Sequence, residues 1–271
     1  AAVHALLTEP ELGLAPQGLH ALVGGSMGGM LVLAYAALFP SAYRRAVALA
    51  TTGETSPATV ALRLVQRTVL GAALASGEAN AVSAAMRAVR MMGMVGYRSR
   101  AEFDERFAWR PVSATAHPSQ PPVFEVEDYL SHHADKFVAQ AYDPKCYLAL
   151  SQCMDLMSLP ALMGVAEEGS GPRARARSMA AALGHIPPSK QFLLLAYATD
   201  FLIPPSELER VAVALGSAGT PVHFETLDAV FGHDAFIIPS EGPALNVRLR
   251  TFLAPSGGVH GVRELVKAQT H

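Results

Sequence analysis

Ser26 has the clearest capacity for chemistry, because it stands in the run Gly-Gly-Ser-Met-Gly-Gly at positions 24–29, directly after an apolar stretch. A serine on a sharp strand-to-helix turn is exposed as a nucleophile. Small residues two positions away on either side, here Gly24 and Gly28, let the strand and the helix approach closely. The Met27 backbone N–H, at the start of the helix, would then point at an oxyanion forming on a substrate. Taken alone, this pattern is equally typical of a nucleophile elbow and of a glycine-rich turn with a surface serine. Other residues must therefore decide between these two interpretations.

Two downstream residues could complete a proton relay with this serine. Asp200 follows an apolar strand predicted at 192–198, and His233 follows a strand predicted at 222–227. Serine, aspartate and histidine in this chain order match the catalytic triads of α/β hydrolases. Because the carboxyl ends of parallel strands meet at one edge of a sheet, the three side chains are expected to meet there. The prediction is that His233 accepts the Ser26 proton and Asp200 orients the imidazole. Taken singly, Asp200 is typical of a helix N-terminal acid and His233 of a loop histidine.

The hydrophobic pattern predicts an α/β protein with two domains. An α/β core, with the mostly parallel sheet of an α/β hydrolase, is predicted at 1–53 and 190–271, and a large helical lid insertion at 54–189. Strands are expected at 19–24, 46–50, 192–198 and 222–227, and core helices at 1–12, 27–39, 241–253 and after a capping box of Ser206 and Glu209. Within the insertion, helices are expected at 58–75, 79–95, 100–107, 125–139 and 144–157, with loops at 111–122 and 167–177. The tail after Pro255 is polar and is expected to be poorly ordered.

Composition narrows the class of protein and its partners. The 271 residues are 51% hydrophobic with a net charge of −2, which indicates a globular protein without an electrostatic footprint for nucleic acid or a membrane surface. Cys146 and Cys153 suggest two buried thiols in a reducing compartment. The apolar stretches are interrupted short of a membrane span and no signal peptide is evident, so a soluble cytoplasmic protein is expected. No metal-ligand spacing is found, so no metal is predicted.

The chain resembles the homoserine O-acetyltransferase family of α/β-hydrolase-fold acyltransferases. The resemblance is carried by three core motifs, GGSMGGM at 24–30, TDFLIPP at 199–205 and FGHDAF at 231–236. Within the insertion it rests on Arg90, Tyr97-Arg98-Ser99, Phe103, Arg106-Phe107, VEDYL at 126–130, Lys136-Phe137 and Tyr142-Asp143. It implies ping-pong transfer without a bound cofactor. In that scheme the serine takes an acetyl group from acetyl-CoA, the co-substrate, and passes it to the hydroxyl of homoserine or a similar amino acid, in methionine or cysteine biosynthesis.

The resemblance also assigns substrate-binding roles. It implies that Arg90 holds the acceptor carboxylate, that Tyr97 is a neighbouring contact, and that Asp234 receives the acceptor ammonium. A planar guanidinium suits bidentate binding of a carboxylate. The residues alone favour a solvated arginine and a core aromatic. A homodimer is implied as a possible partner arrangement, with the Met- and Leu-rich lid as its interface.

Two departures from the family keep alternatives open. The family places several strands and an oxyanion donor before the serine, and the chain is expected to lack them. Residues 131–135, Ser-His-His-Ala-Asp, replace the family's usual Tyr-Gln-Gly, which leaves the acceptor open between homoserine, serine and other hydroxy compounds. Acetyl and succinyl donors are not distinguished. The competing hypotheses are a serine carboxylesterase with the same triad, in which water resolves the acyl-serine, and an inactive fragment that acts as a binding module.

Overall fold

Four parallel strands form the sheet around which the chain is arranged. In the computed structural model, which describes residues 2–12, 18–112, 123–166, 169 and 171–269, the strands are β1 (Leu19–Gly25), β2 (Tyr43–Leu49), β3 (Gln191–Tyr197) and β4 (Val222–Leu227). Their order is β1-β2-β3-β4 and every neighbouring pair is parallel. The register pairs Gly25 with Leu49 and Leu49 with Leu195. The carboxyl ends of all four strands therefore lie at the same edge.

Twelve α-helices are described along with the sheet. The core helices are α1 (Ala2–Thr8), α2 (Met27–Leu38), α10 (Pro205–Ser217), α11 (Gly242–Leu253) and α12 (Val259–Gln269). Between β2 and β3 lie α3 (Pro57–Ser76), α4 (Ala79–Tyr97), α5 (Arg100–Phe107), α6 (Glu125–Ala139), α7 (Pro144–Asp155), α8 (Leu159–Leu162) and α9 (Pro172–Leu183). Short 3₁₀ helices at Pro10–Leu12, Gly232–Ile237 and Pro239–Glu241 complete the described elements.

Both faces of the sheet are covered, as continuous apolar strands require. On one face the alternate residues Phe192, Leu194 and Ala196 of β3 pack in a cluster with side chains of α2, α9 and α10. On the other face Leu193, Leu195 and Tyr197 pack with residues of α11 and α12. A third, smaller cluster joins α3, α4, α6 and α7 away from the sheet. The sheet is thus buried on both faces, whereas the helices α3, α4, α6 and α7 share a core of their own.

Several local expectations are corrected. The chain after Pro255 forms α12, because Val259 and Val262 are buried against the sheet and hold it there. The link expected at 167–177 contains the first residues of α9, which begins at Pro172; residues 167, 168 and 170, and 113–122 of the other loop, lie outside the described residues.

Three further corrections concern polar groups. The capping box of Ser206 and Glu209 is wrong, because α10 begins at Pro205, one residue before Ser206, and makes no side-chain cap bond. The Cys146 and Cys153 thiols are free and exposed rather than buried. One described helix, α3, is long and apolar enough to cross a membrane by length and composition alone, which corrects the expectation that every apolar stretch is too short. This helix carries Arg63 and Arg67, which pair with Asp155 of α7.

Candidate active site

Ser26 occupies a strained position between β1 and α2. Its backbone has φ 52° and ψ −121°, a conformation that a residue with a side chain rarely adopts. The neighbouring strand fixes it on both sides: the Ser26 N–H donates to the Leu49 carbonyl at 2.9 Å, and the Thr51 hydroxyl donates to the Ser26 carbonyl at 2.8 Å. Such strain costs of order 1–3 kcal/mol and persists only where surrounding contacts impose it. The serine is thereby presented at the carboxyl edge of the sheet.

Glycines around the serine allow this turn, though not all those expected. A Cβ on Gly24 would lie 2.3 Å from the Gly28 carbonyl oxygen, and one on Gly29 would lie 2.7 Å from the Thr51 side chain. A Cβ on Gly28, by contrast, would have nothing within 4 Å. The expectation that residue 28 must be small is therefore corrected. Gly24 must lack a side chain because the backbone of Gly28 lies against it, whereas a Cβ at position 28 would meet no other atom.

Ser26, His233 and Asp200 form a continuous hydrogen-bonded chain. His233 Nε2 lies 2.8 Å from Ser26 Oγ, and His233 Nδ1 lies 2.8 Å from Asp200 Oδ2. The other carboxylate oxygen, Asp200 Oδ1, accepts the Ile203 N–H at 2.9 Å. His233 and Asp200 are both buried, so the relay is shielded from water. The geometry suits removal of the serine proton by a histidine that a carboxylate holds in place.

The His233 loop is fixed by contacts from two directions. The Thr199 hydroxyl donates to the Ala229 carbonyl at 2.6 Å and accepts the Gly232 N–H at 3.0 Å. Gly232 has φ 67°, and a Cβ there would lie 2.7 Å from the Ser99 nitrogen at the junction of α4 and α5. Close approach of that junction therefore requires glycine before the histidine.

Met27 is the first residue of α2, directly after the elbow. The first N–H groups of a helix have no partner within it, so the Met27 N–H is free to donate to an oxyanion at Ser26.

In the described part of the chain no cluster of three or more His, Cys, Asp or Glu side chains could hold a metal ion.

Ser26 opens into a cavity of about 730 Å³ between the sheet edge and the helices α3, α4, α6 and α7. Most of its wall is apolar, contributed by residues such as Leu62, Val65, Val89, Met91, Met92, Phe137, Leu150, Met154, Phe201 and Phe236. Among the described residues, the acidic and basic side chains that line it are few: Arg63, Arg90, His233 and Asp234. A ligand with a small number of charges in an apolar frame fits this lining.

Arg90 and Tyr97, two turns apart on α4, both face this cavity. The Arg90 guanidinium lies 5.5 Å from the centre of the Phe137 ring, and its buried Nε has no hydrogen-bond partner among the described residues. Tyr97 lies 6.1 Å from the His233 ring, centre to centre. Burial raises the pKa of the Tyr97 hydroxyl against the opposing charge of Arg90, so it remains a neutral donor. The alternative interpretations, a solvated arginine at position 90 and a purely core aromatic at position 97, therefore do not describe these two side chains.

Asp234 adds the opposite charge. Its Oδ2 lies 3.4 Å from Nε of Arg98, whose Nη1 also lies 3.2 Å from Glu102. Burial raises the pKa of Asp234, and the Arg98 charge acts against that rise. Six of the seven predicted residues thus line one cavity, namely Ser26, Met27, Arg90, Tyr97, His233 and Asp234. The seventh, Asp200, does not line it but is hydrogen-bonded to His233.

Sequence reasoning missed the roles of several buried charges. Arg98 was noted only within a motif, yet it is the partner of Asp234. Arg63 and Arg67 were not singled out at all, although both pair with Asp155 and Arg63 lines the cavity. Two arginines four positions apart on an otherwise apolar helix were the signal that could have drawn attention to them.

Comparison with known proteins agrees with this fold. The profile of the alpha/beta hydrolase fold family matches residues 13–239. A serine O-succinyltransferase from Litchfieldella anticariensis is 34% identical over 82% of this chain and 59% of its own length. An L-serine/homoserine O-acetyltransferase from Streptomyces lavendulae is 33% identical over 82% of this chain and 59% of its own. The chain thus spans about three fifths of the length of these relatives.

Solved structures share the fold at lower sequence identity. Homoserine O-acetyltransferase from Bacillus anthracis superposes with a TM-score of 0.76 at 13% identity, covering 95% of this chain and 64% of the other. Esterase E22 superposes with a TM-score of 0.71 at 18% identity, covering 93% and 65%. At these identities the likeness is one of fold alone, and that fold serves both transfer and hydrolysis of acyl groups.

Proposed function

This chain belongs to the α/β hydrolase fold family, and from that premise we propose that it acts in an O-acyltransferase. The reaction would move an acyl group from a coenzyme A thioester, through an acyl-Ser26 intermediate, to the hydroxyl of a small amino acid. The family resemblance favours acetyl-CoA and homoserine. The curated relatives include serine O-succinyltransferases as well as a serine/homoserine O-acetyltransferase.

The first half-reaction acylates the serine. His233 Nε2, 2.8 Å from Ser26 Oγ, takes the hydroxyl proton as Oγ attacks the thioester carbonyl carbon. The carbonyl oxygen becomes an oxyanion, for which the Met27 N–H is a donor. When the carbon–sulfur bond breaks, His233 gives the proton to the leaving thiolate. Asp200 stabilises the imidazolium that exists between these steps.

The second half-reaction uses the same groups in reverse order on the acceptor. His233 takes the proton of the acceptor hydroxyl, which attacks the acyl carbon, and returns it to Ser26 Oγ as the serine ester breaks. Arg90 would hold the acceptor carboxylate and Asp234 its ammonium, with the Tyr97 hydroxyl between them. These contacts fix the hydroxyl for attack, which is a large part of the advantage of a bound alcohol over water.

The observation that carries this proposal is the pair of opposite charges in the cavity. Arg90 presents a guanidinium whose buried Nε has no partner among the described residues, and Asp234 presents a carboxylate in the same cavity as the serine. Leaving a buried donor unpaired is unfavourable unless a ligand compensates for it. A zwitterionic amino acid does so, whereas a water molecule that hydrolyses an ester needs neither charge.

Intact-protein mass spectrometry with product analysis tests this function. We expect acetyl-CoA or succinyl-CoA to add one acyl group to Ser26, and L-homoserine or L-serine to remove it faster than water does. Homoserine amide, which lacks the carboxylate, serves as the matched acceptor and should react more slowly. Equal loss of the acyl group with and without amino acid would instead establish a carboxylesterase. A serine that no thioester and no fluorophosphonate labels would leave only a binding module.

We also propose that the protein forms a homodimer in the cytoplasm through its α3 to α7 region. Leu64 of α3 is 55% exposed and Leu156, after α7, is 81% exposed, so this region presents large apolar side chains that a second subunit would cover. Sedimentation should show a dimer that Leu64→Asp and Leu156→Asp dissociate. A monomer before substitution would contradict this proposal.

The free exposed thiols of Cys146 and Cys153 fit a reducing compartment.

A further inference from the structure

A cluster of three charged side chains lies behind the cavity between α3 and α7. Arg63 Nη1 lies 2.7 Å from Asp155 Oδ1, and Arg67 Nη2 lies 2.5 Å from Asp155 Oδ2. Arg67 Nη1 also donates to the Ser151 hydroxyl at 2.9 Å. All four side chains are largely buried, so two guanidinium groups share one carboxylate with little water nearby. The cluster carries one positive charge that no described residue within it neutralises.

Arg63 and Ser151 of this cluster face the same cavity as Ser26. Arg90 adds a second positive charge to that wall, while Asp234 is the one carboxylate among the described residues that line it. Asp234 is already paired with Arg98. An amino-acid acceptor is a zwitterion and adds no net charge, so it leaves the positive excess in place. Uncompensated charge in an apolar cavity is unfavourable, and an anionic group on the other substrate would offset it.

We propose that the acyl group taken up by this cavity carries a distal carboxylate, as a succinyl group does, and that Arg63 binds that carboxylate. Arg67 and Ser151 act as positioning residues, because Ser151 accepts a hydrogen bond from Arg67, and Arg67 pairs with the Asp155 carboxylate that also holds Arg63. The inference rests on the proposed acyltransferase function and names the donor class for the same site. It departs from the acetyl donor that the family resemblance favours.

The chemistry of transfer is unchanged by the distal group. Ser26 Oγ still attacks the thioester carbonyl, the carbon–sulfur bond breaks, and the proton passes through His233 to the thiol. The carboxylate at the far end of the acyl chain neither gains nor loses a bond. Its interaction with Arg63 forms on binding and orients the carbonyl above Ser26. An acetyl group has no distal carboxylate with which to make this contact.

The test compares succinyl-CoA with n-butyryl-CoA, which has the same number of acyl carbons but ends in a methyl group. Rates of Ser26 acylation are followed by intact mass, without acceptor, and expressed as the ratio of kcat/KM for the two thioesters. We expect the ratio to exceed about 10 in the unmodified protein and to fall roughly ten- to a hundredfold in Arg63→Gln, as for loss of a charge-assisted hydrogen bond. Arg63→Lys, which keeps the charge, should retain part of the preference for succinyl-CoA over n-butyryl-CoA.

Arg110→Gln is the matched control, because it removes the same charge from an exposed residue that pairs with Glu125 outside the cavity. It should leave the ratio unchanged. Thermal melting accompanies each variant, and if Arg63→Gln does not fold, Ser151→Ala and Arg63→Lys still report on the site through the same ratio.

The outcomes separate this inference from the proposed function. A ratio near one, or a ratio that Arg63→Gln does not alter, overturns the succinyl-class donor while acyl transfer itself stands. A change confined to the KM of the amino-acid acceptor would place Arg63 in the acceptor site and also overturn the inference. Failure of every thioester to acylate Ser26 would instead overturn the proposed function, and this inference with it.

Discussion

The sheet edge and the helical wall of the cavity differ in how far their polar groups are paired within the protein. At the sheet edge His233 has a partner on each ring nitrogen, and Asp200 has one on each oxygen. On the helical wall the Arg90 Nε has none among the described residues, and Arg63 shares its carboxylate with Arg67. The polar groups of the sheet edge are therefore paired without substrate, whereas those of the helical wall are not fully paired.

This difference indicates that, in the proposed reaction, the sheet edge carries out the chemistry and the helical wall binds the substrates. Preorganised groups need no rearrangement when charge develops in a transition state, so the sheet edge suits chemistry. Buried cations without full compensation are stabilised by an anionic ligand, so the helical wall suits binding. Changes at the sheet edge should therefore affect every reaction of Ser26, whereas changes on the helical wall should depend on which substrate is offered.

The largest effect is expected at the nucleophile. Ser26→Ala should lower turnover by about 10⁴-fold or more with every donor and acceptor, because it removes the atom that carries the acyl group. Mass spectrometry after brief exposure to thioester should show acylation of the unmodified protein and none of the variant. Acylation of another residue, or full activity in the variant, would break the assignment.

A smaller and substrate-dependent effect is expected on the helical wall. Arg90→Gln should reduce acceptor kcat/KM roughly ten- to a hundredfold, as for loss of a charge-assisted hydrogen bond, with acylation of Ser26 much less affected. Asp234→Asn, which keeps the shape and removes the charge, should do the same. Single-turnover acylation and acceptor titration measure the two halves separately. Loss of the acylation step with an unchanged acceptor KM would place both residues with the triad instead.

Two neighbouring glycines offer a matched pair for stability. Gly24→Ala should destabilise by about 1–3 kcal/mol, because its Cβ would meet the Gly28 carbonyl at 2.3 Å. Gly28→Ala has open space and lies in a helix, where alanine is favoured over glycine. Urea denaturation of both variants should thus give opposite signs. Equal destabilisation would mean that the elbow depends on both residues, as the sequence pattern suggested.

The smallest effect is a pH dependence at β4, away from the cavity. Burial raises the pKa of Glu225, but hydrogen bonds from Arg248 and His223 outweigh it and hold the pKa at about 2, below its ordinary 4.5. Because the folded pKa is the lower one, this contribution is present above about pH 4.5 and is lost as pH falls toward 2. Arg248→Gln should flatten the decline in unfolding free energy over that range. An unchanged pH profile would contradict the shift.

By itself the sequence determined the strands, the elbow and the order of Ser26, Asp200 and His233, because these depend on local patterns: apolar runs, glycine at a tight turn, and polar residues just past a strand. Helices that pack by a few apolar residues were less visible, and α12 was missed because its sequence is largely polar and packs on the core through three valines, Val259, Val262 and Val266. The Ser206 and Glu209 box failed because the helix begins one residue earlier, at Pro205, and a local pattern locates a helix end only to within one or two residues.

Only the tertiary structure decided which charges meet. Arg63 and Asp155 are 92 residues apart along the chain, and Arg98 and Asp234 are farther still, so no local pattern could pair them. The same holds for the cavity, whose wall comes from four helices and the sheet edge and whose charge balance depends on all of them. The nucleophile is a property of a short segment, whereas the binding site is a property of the packing, because burial and pairing are defined by what surrounds a side chain in space.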